Sequence, residues 1–538
     1  MSLNTSNSAQ MNMSGSFGSS LYLAEWTKET EEIRAEIHRS SPHTGPIVDD
    51  DGFHDEKKSA LVDEDTPLVG KVKKAYGGLN ATLLTTVTVV TVGSSFQFGY
   101  GTGVMNNSKD FIMDYFHNHG KDYTLMGWGT TVSCYGIGGL LGSVIGPKVI
   151  GKCCGRRATL LFNNLFLVIS SLLIAFAPLW WWQAIGRIFV GITAGVATAV
   201  VPTYFSEISP VEVRGAIGTM HQLGITIGIL VSQLLSTPSL NLMGSEERWR
   251  WLFFVPVLCG AVELIVLPFC PESPSYLYIT KGQDEAREAI VKLQSENVAD
   301  EYLGYIREEI TAEAIGHNDM TVIELFRDKT LRKQLIVGVT VQLMMQFSGI
   351  DAVFYYSTSV FKQAAVADPE LATTCLGIIN VIVTIFAVKF MDKAGRKVLL
   401  VYSWIGMMCS YTLLTTSFVL KPYVGFMDQL SVVATTGVII FFAFGPGCIA
   451  WFIIAEIFPL YARDTAMVIG IFINWIANWF VAFTFPILLE YTQPFTFLVF
   501  VGTTTYFLHF TLRYVPETKG LTISQVTKEF DSIKLWMC

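Results

Sequence analysis

Charge is scarce in this sequence. Only 15% of its 538 residues are charged, against about 25% in soluble domains. That shortage excludes a string of polar-surfaced soluble domains. Patterned cysteine is also missing. The nine cysteines are Cys134, Cys153, Cys154, Cys259, Cys270, Cys375, Cys409, Cys448 and Cys538. Their intervals suit neither a zinc site nor a disulfide framework. Most lie in apolar stretches, where a thiol behaves as a small apolar group. Cys153-Cys154 sits at the edge of such a stretch, where packing and palmitoylation are the two readings. No phosphate loop, metal cluster or nucleophile–base arrangement stands out. An enzyme is therefore not expected, nor a cofactor, a metal or a nucleic-acid partner.

Long apolar runs are present in number. The chain is 51% apolar, with a mean hydropathy of +0.44. Many runs approach the roughly 20 residues that cross a bilayer core. Twelve spans are predicted, over 82–104, 126–150, 158–178, 182–205, 215–236, 250–270, 334–358, 372–391, 397–418, 430–454, 464–487 and 493–514. Lipid offers the backbone no hydrogen-bond partner, so spans this apolar must be helices. The lipid bilayer is thus the first partner the sequence implies.

The remaining charge is unevenly placed. Residues 1–70 hold 13 Asp/Glu and 5 Lys/Arg, which accounts for the whole net charge of −8. Residues 1–75 read as a disordered acidic tail without the apolar core of a cleaved signal. A short helix over 22–38 is expected within it, and the tail is a candidate surface for a cytosolic partner. Basic residues cluster at Lys71–Lys74, at Lys152, Arg156 and Arg157, at Lys393, Arg396 and Lys397, and along 271–333. The positive-inside rule makes these segments, and both termini, cytoplasmic. The expected organisation is a six-helix bundle over 76–270, a cytoplasmic helical linker over 271–333, a second six-helix bundle over 334–515, and a tail over 516–538. Within the linker, 283–294 has apolar residues at helical spacing.

The second half repeats the first. Gly155-Arg156-Arg157 returns as Gly395-Arg396-Lys397. Glu207-x-x-Pro210-x-x-x-Arg214 returns as Glu456-x-x-Pro459-x-x-x-Arg463. Pro271-Glu272-Ser273-Pro274 returns as Pro516-Glu517-Thr518-Lys519. Duplicated bundles rocking around a central site are a transporter's arrangement. Carboxylates and guanidiniums at span ends form bidentate pairs between helices. Arg156, Glu207, Arg214, Glu272, Arg396, Glu456, Arg463 and Glu517 are therefore expected to latch the halves in an outward-open state.

Further motifs carry a family resemblance from about residue 80 to 530. They are Arg187, Pro202-x-Tyr204-x-x-Glu207, His221-Gln222-Leu223-Gly224, Gln346-x-Ser348-Gly349-Ile350, Phe354-Tyr355-Tyr356-Ser357, Gly445-Pro446-Gly447, Trp451, Asn474-Trp475 and Pro516-Glu517-Thr518-Lys519-Gly520. The chain resembles the facilitative sugar transporters of the major facilitator superfamily. The resemblance implies an all-α membrane protein, with twelve transmembrane helices in two pseudo-symmetric six-helix bundles. It implies facilitated diffusion of a hexose such as glucose across the plasma membrane, by alternating access. Sugar-contact positions carried over from the family are Gln222, Gln233, Gln342, Gln346, Asp351, Asn380, Trp451 and Asn474. An amide both donates and accepts, as a sugar hydroxyl does. The Gly445-Pro446-Gly447 break allows the tenth span to bend and gate the pore.

The sequence departs from the family's pattern at several places. Asp351 stands where Asn is usual. Met345 replaces one Gln of a pair, and Met344 a Ser found in glucose-selective members. Ala443 replaces a carboxylate near the site. Gly101 sits where uniporters carry Asn and proton symporters Asp. Ser275 replaces the Arg of the first Pro-Glu-Ser-Pro motif. Burying a bare charge is costly, so Asp351 is expected to hold its proton when sugar is bound. Two alternatives follow: proton-coupled sugar symport through Asp351, and a low-flux sugar sensor signalling through the acidic tail.

Overall fold

The computed structural model describes residues 80–210, 213–316, 320–519, 521 and 523–532. The acidic tail, with its expected helix over 22–38, lies outside the described residues. Every regular element among the described residues is a helix.

Twelve helical spans are present among the described residues. The first six are Ala81–Asn107, 125–151, Lys152–Ala175, Trp180–Ile208, Arg214–Ser236 and Trp249–Phe269. The second six are Arg332–Gln363, Pro369–Ala394, Arg396–Leu420, 427–457, Leu460–Thr492 and Thr496–Tyr514. Ten of these contain a stretch long and apolar enough to cross a membrane by that measure alone. The exceptions are the second and the twelfth. The second is diluted by glycine, and glycine is what lets its neighbours approach closely. A Cβ on Gly138 would stand 2.8 Å from the Gly191 Cα of the fourth span. On another face, a Cβ on Gly136 would stand 2.8 Å from the Trp479 Cα of the eleventh. The second span therefore packs against both halves.

Several spans depart from regular helix, among them the first, second, seventh and tenth. The first contains a π-helical turn at Thr91–Ser95. The second ends in one at Ile145–Gly151. The seventh breaks after Ser348, where Gly349 takes φ 86°. A side chain there would be strained, and its Cβ would stand 2.6 Å from the Tyr411 hydroxyl. The tenth breaks at Gly445, which separates Met427–Phe444 from Pro446–Ile457. Such turns inside spans are places where a helix bends.

The linker folds into helices Pro274–Thr280, Gln283–Leu293, Glu296–Gly316 and Val322–Arg327. Its own small core joins Ala286 and Ile290 to Ala299, Tyr302, Leu303 and Ile306. Tyr302 donates to the Glu207 carbonyl at 3.2 Å, and Thr465 donates to the Met320 carbonyl at 2.6 Å. The linker thereby touches both halves.

Candidate functional site

A central cavity lies between the halves. The first half contributes Phe98, Thr102, Gln222, Ile225, Thr226 and Ile229. The second contributes Met345, Gln346, Ile350, Asp351, Phe354, Tyr355, Asn380, Phe442, Trp451, Asn474, Trp475 and Asn478. Six of the eight expected contact residues thus line one space: Gln222, Gln346, Asp351, Asn380, Trp451 and Asn474.

The other two do not line it. Gln342 is fully buried. Its amide donates to the Ala450 carbonyl at 2.7 Å and accepts from Asn474 Nδ2 at 3.0 Å. Facing the eleventh span, it positions Asn474 from behind. Gln233, three turns along from Gln222, is buried beside Gly377 of the eighth span. The three-turn spacing keeps the two glutamines on one face, but that face leaves the cavity before it reaches Gln233.

The cavity wall sets a few polar groups among apolar and aromatic side chains, and no cation is among its lining residues. Gln346 Nε2 donates to Asn474 Oδ1 at 2.8 Å. Asn478 Nδ2 donates to Asp351 Oδ2 at 2.8 Å. Several buried polar atoms of lining residues have no protein partner: Gln346 Oε1, Asn380 Nδ2, Trp451 Nε1, Trp475 Nε1 and Asn478 Oδ1. Buried polar groups are normally satisfied. Here donors and acceptors are left over together, around aromatic faces. Met345 and Ala443 leave their positions apolar, and Met345 Sδ lies 3.6 Å from Asn474 Nδ2.

Asn478 was absent from the expected set, although it lies four residues beyond Asn474 and hence on the same helix face. Thr102, Thr226, Tyr355 and Trp475 were also missed as lining residues. Single hydroxyls and aromatics are too common in spans to stand out.

At one end of the molecule, the repeated motifs build two copies of one cluster. Gly155 takes φ 84° and Gly395 takes φ 88°. This turns successive backbone N–H groups outward at a helix start, which forms an anion cradle. In the first copy, Glu272 accepts from Arg156 N at 3.0 Å and Arg157 N at 3.1 Å. In the second, Glu517 accepts from Arg396 N at 2.8 Å and Lys397 N at 3.1 Å. Arg156 grips Glu207 bidentately, at 3.0 and 2.8 Å. Arg396 grips Glu456 at 3.2 and 2.8 Å, and the Thr518 hydroxyl also donates to Glu456. The described bonds of these pairs join helices within each half, and each carboxylate is supplied by the same repeat as its arginine. The Arg214 side chain lies outside the described residues, and Arg463 is half-buried in the first turn of the eleventh span.

The halves are tied together at the opposite end. Asn106 Nδ2 donates to the Phe354 carbonyl at 2.9 Å and Ser357 Oγ at 2.7 Å. Asn106 Oδ1 accepts from Thr358 N at 3.2 Å. Thr358 Oγ1 donates to Asn107 Oδ1 at 2.6 Å. Thr237 and Thr374 share a hydrogen bond at 2.6 Å. Lys362 reaches both Asp110 and Glu370. This seal of small neutral groups, edged by one lysine, was not foreseen.

A second buried carboxylate lies away from the cavity. Glu263 accepts from Ser94 Oγ at 2.7 Å and Asn164 Nδ2 at 3.0 Å. It ties together the first, third and sixth spans.

The family profile described as "Sugar (and other) transporter" matches residues 86–530. The chain is 35% identical over 468 residues to the dog (Canis lupus familiaris) solute carrier family 2, facilitated glucose transporter member 3. That match covers 84% of this chain and 93% of the relative. The human protein of the same name is 35% identical over 465 residues, covering 84% and 92%. A partially occluded inward open structure of the xylose transporter XylE from E. coli superposes with a TM-score of 0.71. Its identity is 24%, with coverage of 82% of this chain and 100% of XylE. The repeated motifs, the twelve spans, the family match and the relatives agree: this chain belongs to the sugar transporter family of the major facilitator superfamily.

Proposed function

We propose that the protein moves a hexose such as glucose across the plasma membrane by passive uniport, binding it in the central cavity. The observation that carries this reading is the leftover set of neutral donors and acceptors beside Trp451 and Trp475. A neutral polyol supplies both hydrogen-bond roles at each hydroxyl, and its C–H faces suit indole surfaces. An anionic substrate would find no counter-charge among the lining residues. Gln222, Gln346, Asp351, Asn380, Trp451 and Asn474 then contact sugar, with Asn478 added and Gln342 supporting Asn474.

The basic clusters orient the protein with the motif end and the linker in the cytoplasm. The sealed end is then extracellular, and the conformation faces inward. The bundle limits 76–270 and 334–515, joined by 271–333, define the moving halves. The tail 1–75 remains a candidate surface for a cytosolic partner.

Tryptophan fluorescence tests the site. Glucose added to the purified protein should quench emission saturably, and Trp451→Phe should remove much of that change. Quenching that is equal in the variant, or absent in the wild type, overturns the assignment.

A second reading rests on Asp351, whose carboxyl group is buried in the cavity with an amide, Asn478, as its hydrogen-bond partner. It makes Asp351 a proton carrier coupled to sugar.

A further inference from the structure

The two motif copies differ just before their glycine. The second reads Asp392-Lys393-Ala394-Gly395-Arg396-Lys397, and the first reads Lys152-Cys153-Cys154-Gly155-Arg156-Arg157. The cradle that follows is the same in both, with positive φ at the glycine and two N–H groups on a carboxylate. The backbone fold at this place therefore does not require cysteine. Where the second copy carries Lys393 and Ala394, the first carries two vicinal thiols.

Both thiols are exposed and unpaired. Their backbone is held in place, since the Tyr276 hydroxyl donates to the Cys153 carbonyl at 3.4 Å. Past Gly155, the third span turns outward-facing and apolar within two to three turns, at Phe162 and Leu165, both more than half exposed. The thiols thus sit at the polar–apolar boundary of a membrane helix. Juxtamembrane cysteines in this setting are sites of reversible acylation.

We propose that Cys153 and Cys154 are S-acylated by long-chain fatty acyl groups. The donor is an acyl-coenzyme A thioester. The cysteine Sγ attacks the acyl carbonyl carbon, a new thioester forms, and the donor's C–S bond breaks. Coenzyme A leaves as the thiol, carrying the proton, with no change of oxidation state. The chains anchor the start of the third span in the leaflet. The inference rests on the proposed cytoplasmic placement of the motif end, where acyl-coenzyme A is found.

Full-length protein expressed in cultured eukaryotic cells tests it. Free thiols are blocked, thioesters are cleaved with hydroxylamine, and each released thiol takes one mass tag. The wild type should gain one or two hydroxylamine-dependent tags. Cys153→Ser/Cys154→Ser should lose them, whereas Cys375→Ser, an exposed cysteine elsewhere, should keep them. Wild type without tags, or tags retained in the double variant, overturns the proposal. Membrane-impermeant maleimide applied to intact and permeabilised cells separates the causes. Labelling from outside that the double variant loses shows that the orientation failed. Labelling seen only after permeabilisation and lost in the double variant, with no acylation, shows that the acylation inference alone failed.

Discussion

The two ends of the molecule use different chemistry. At the motif end, bidentate arginine–carboxylate pairs and carboxylate cradles hold helices together inside each half. At the other end, neutral amides and hydroxyls hold the halves to each other. The charged contacts there between the halves, Lys362 to Asp110 and Ser239 to Asp368, are exposed at the rim, and exposed pairs contribute little. Charge-assisted bonds are roughly twice as strong as neutral ones. The strong contacts therefore stiffen bodies that move as units, and the weak ones lie where contacts break and reform. A seal of bidentate pairs would be slow to open, and bundles held by lone hydroxyls would deform while rocking.

The largest test of this contrast is Glu456→Gln. It removes the charge that Arg396 grips, in a half-buried pair with side-chain exposures of 16% and 26%. A hydrogen bond to a charged group contributes about 1.5–3 kcal/mol. Thermal unfolding in detergent should shift down measurably, and a comparable loss is expected for Glu207→Gln in the first half. An unchanged melting temperature in both variants would break the comparison at the motif end.

Next comes the cavity. Gln222→Leu leaves sugar hydroxyls without a partner, at about 1–3 kcal/mol. Half-saturation should rise roughly 5- to 150-fold, read by uptake at matched surface expression. Unchanged uptake would make Gln222 structural.

A smaller effect is expected at the seal. Asn106→Ala removes three neutral bonds between the halves, each contributing about 0.5–1.5 kcal/mol. The population should move toward opening of the sealed end. A cysteine placed at Thr102 should then react faster with impermeant maleimide added from that side. Equal or slower reaction would show that the seal does not set the conformation.

The smallest effect concerns Asp351. If a neutral sugar requires its protonated form, uptake falls as pH rises and the carboxyl ionises. Asp351→Asn should keep transport and flatten that profile. Identical profiles would exclude Asp351 as the titrating group, and total loss of uptake in a surface-expressed variant would revive proton coupling.

Much of this was legible in the sequence, for reasons that differ by region. Apolar length gave the spans, because lipid forces backbone bonds inward. The glycine-rich second span is among the less apolar ones, and its glycines matter through contacts with Gly191 and Trp479 that no local pattern reveals. The motif pairs were visible as repeats. That they close within each half was not, since spacing along the chain does not say which carboxylate a guanidinium meets. Gln233 and Gln342 share helix faces with their cavity neighbours Gln222 and Gln346, and only how far the cavity extends along each span separates them. The seal is built from Asn, Ser and Thr, residues that serve equally as glue between any two helices.

Passive transport is the central claim, and one flux measurement bears on it most directly. Purified protein is reconstituted into vesicles, and labelled glucose is followed to equilibrium with and without an inward proton gradient. The account predicts that internal glucose rises to the external concentration and stops there, with the same endpoint in both conditions. Accumulation above the external concentration, driven by the gradient, would contradict it.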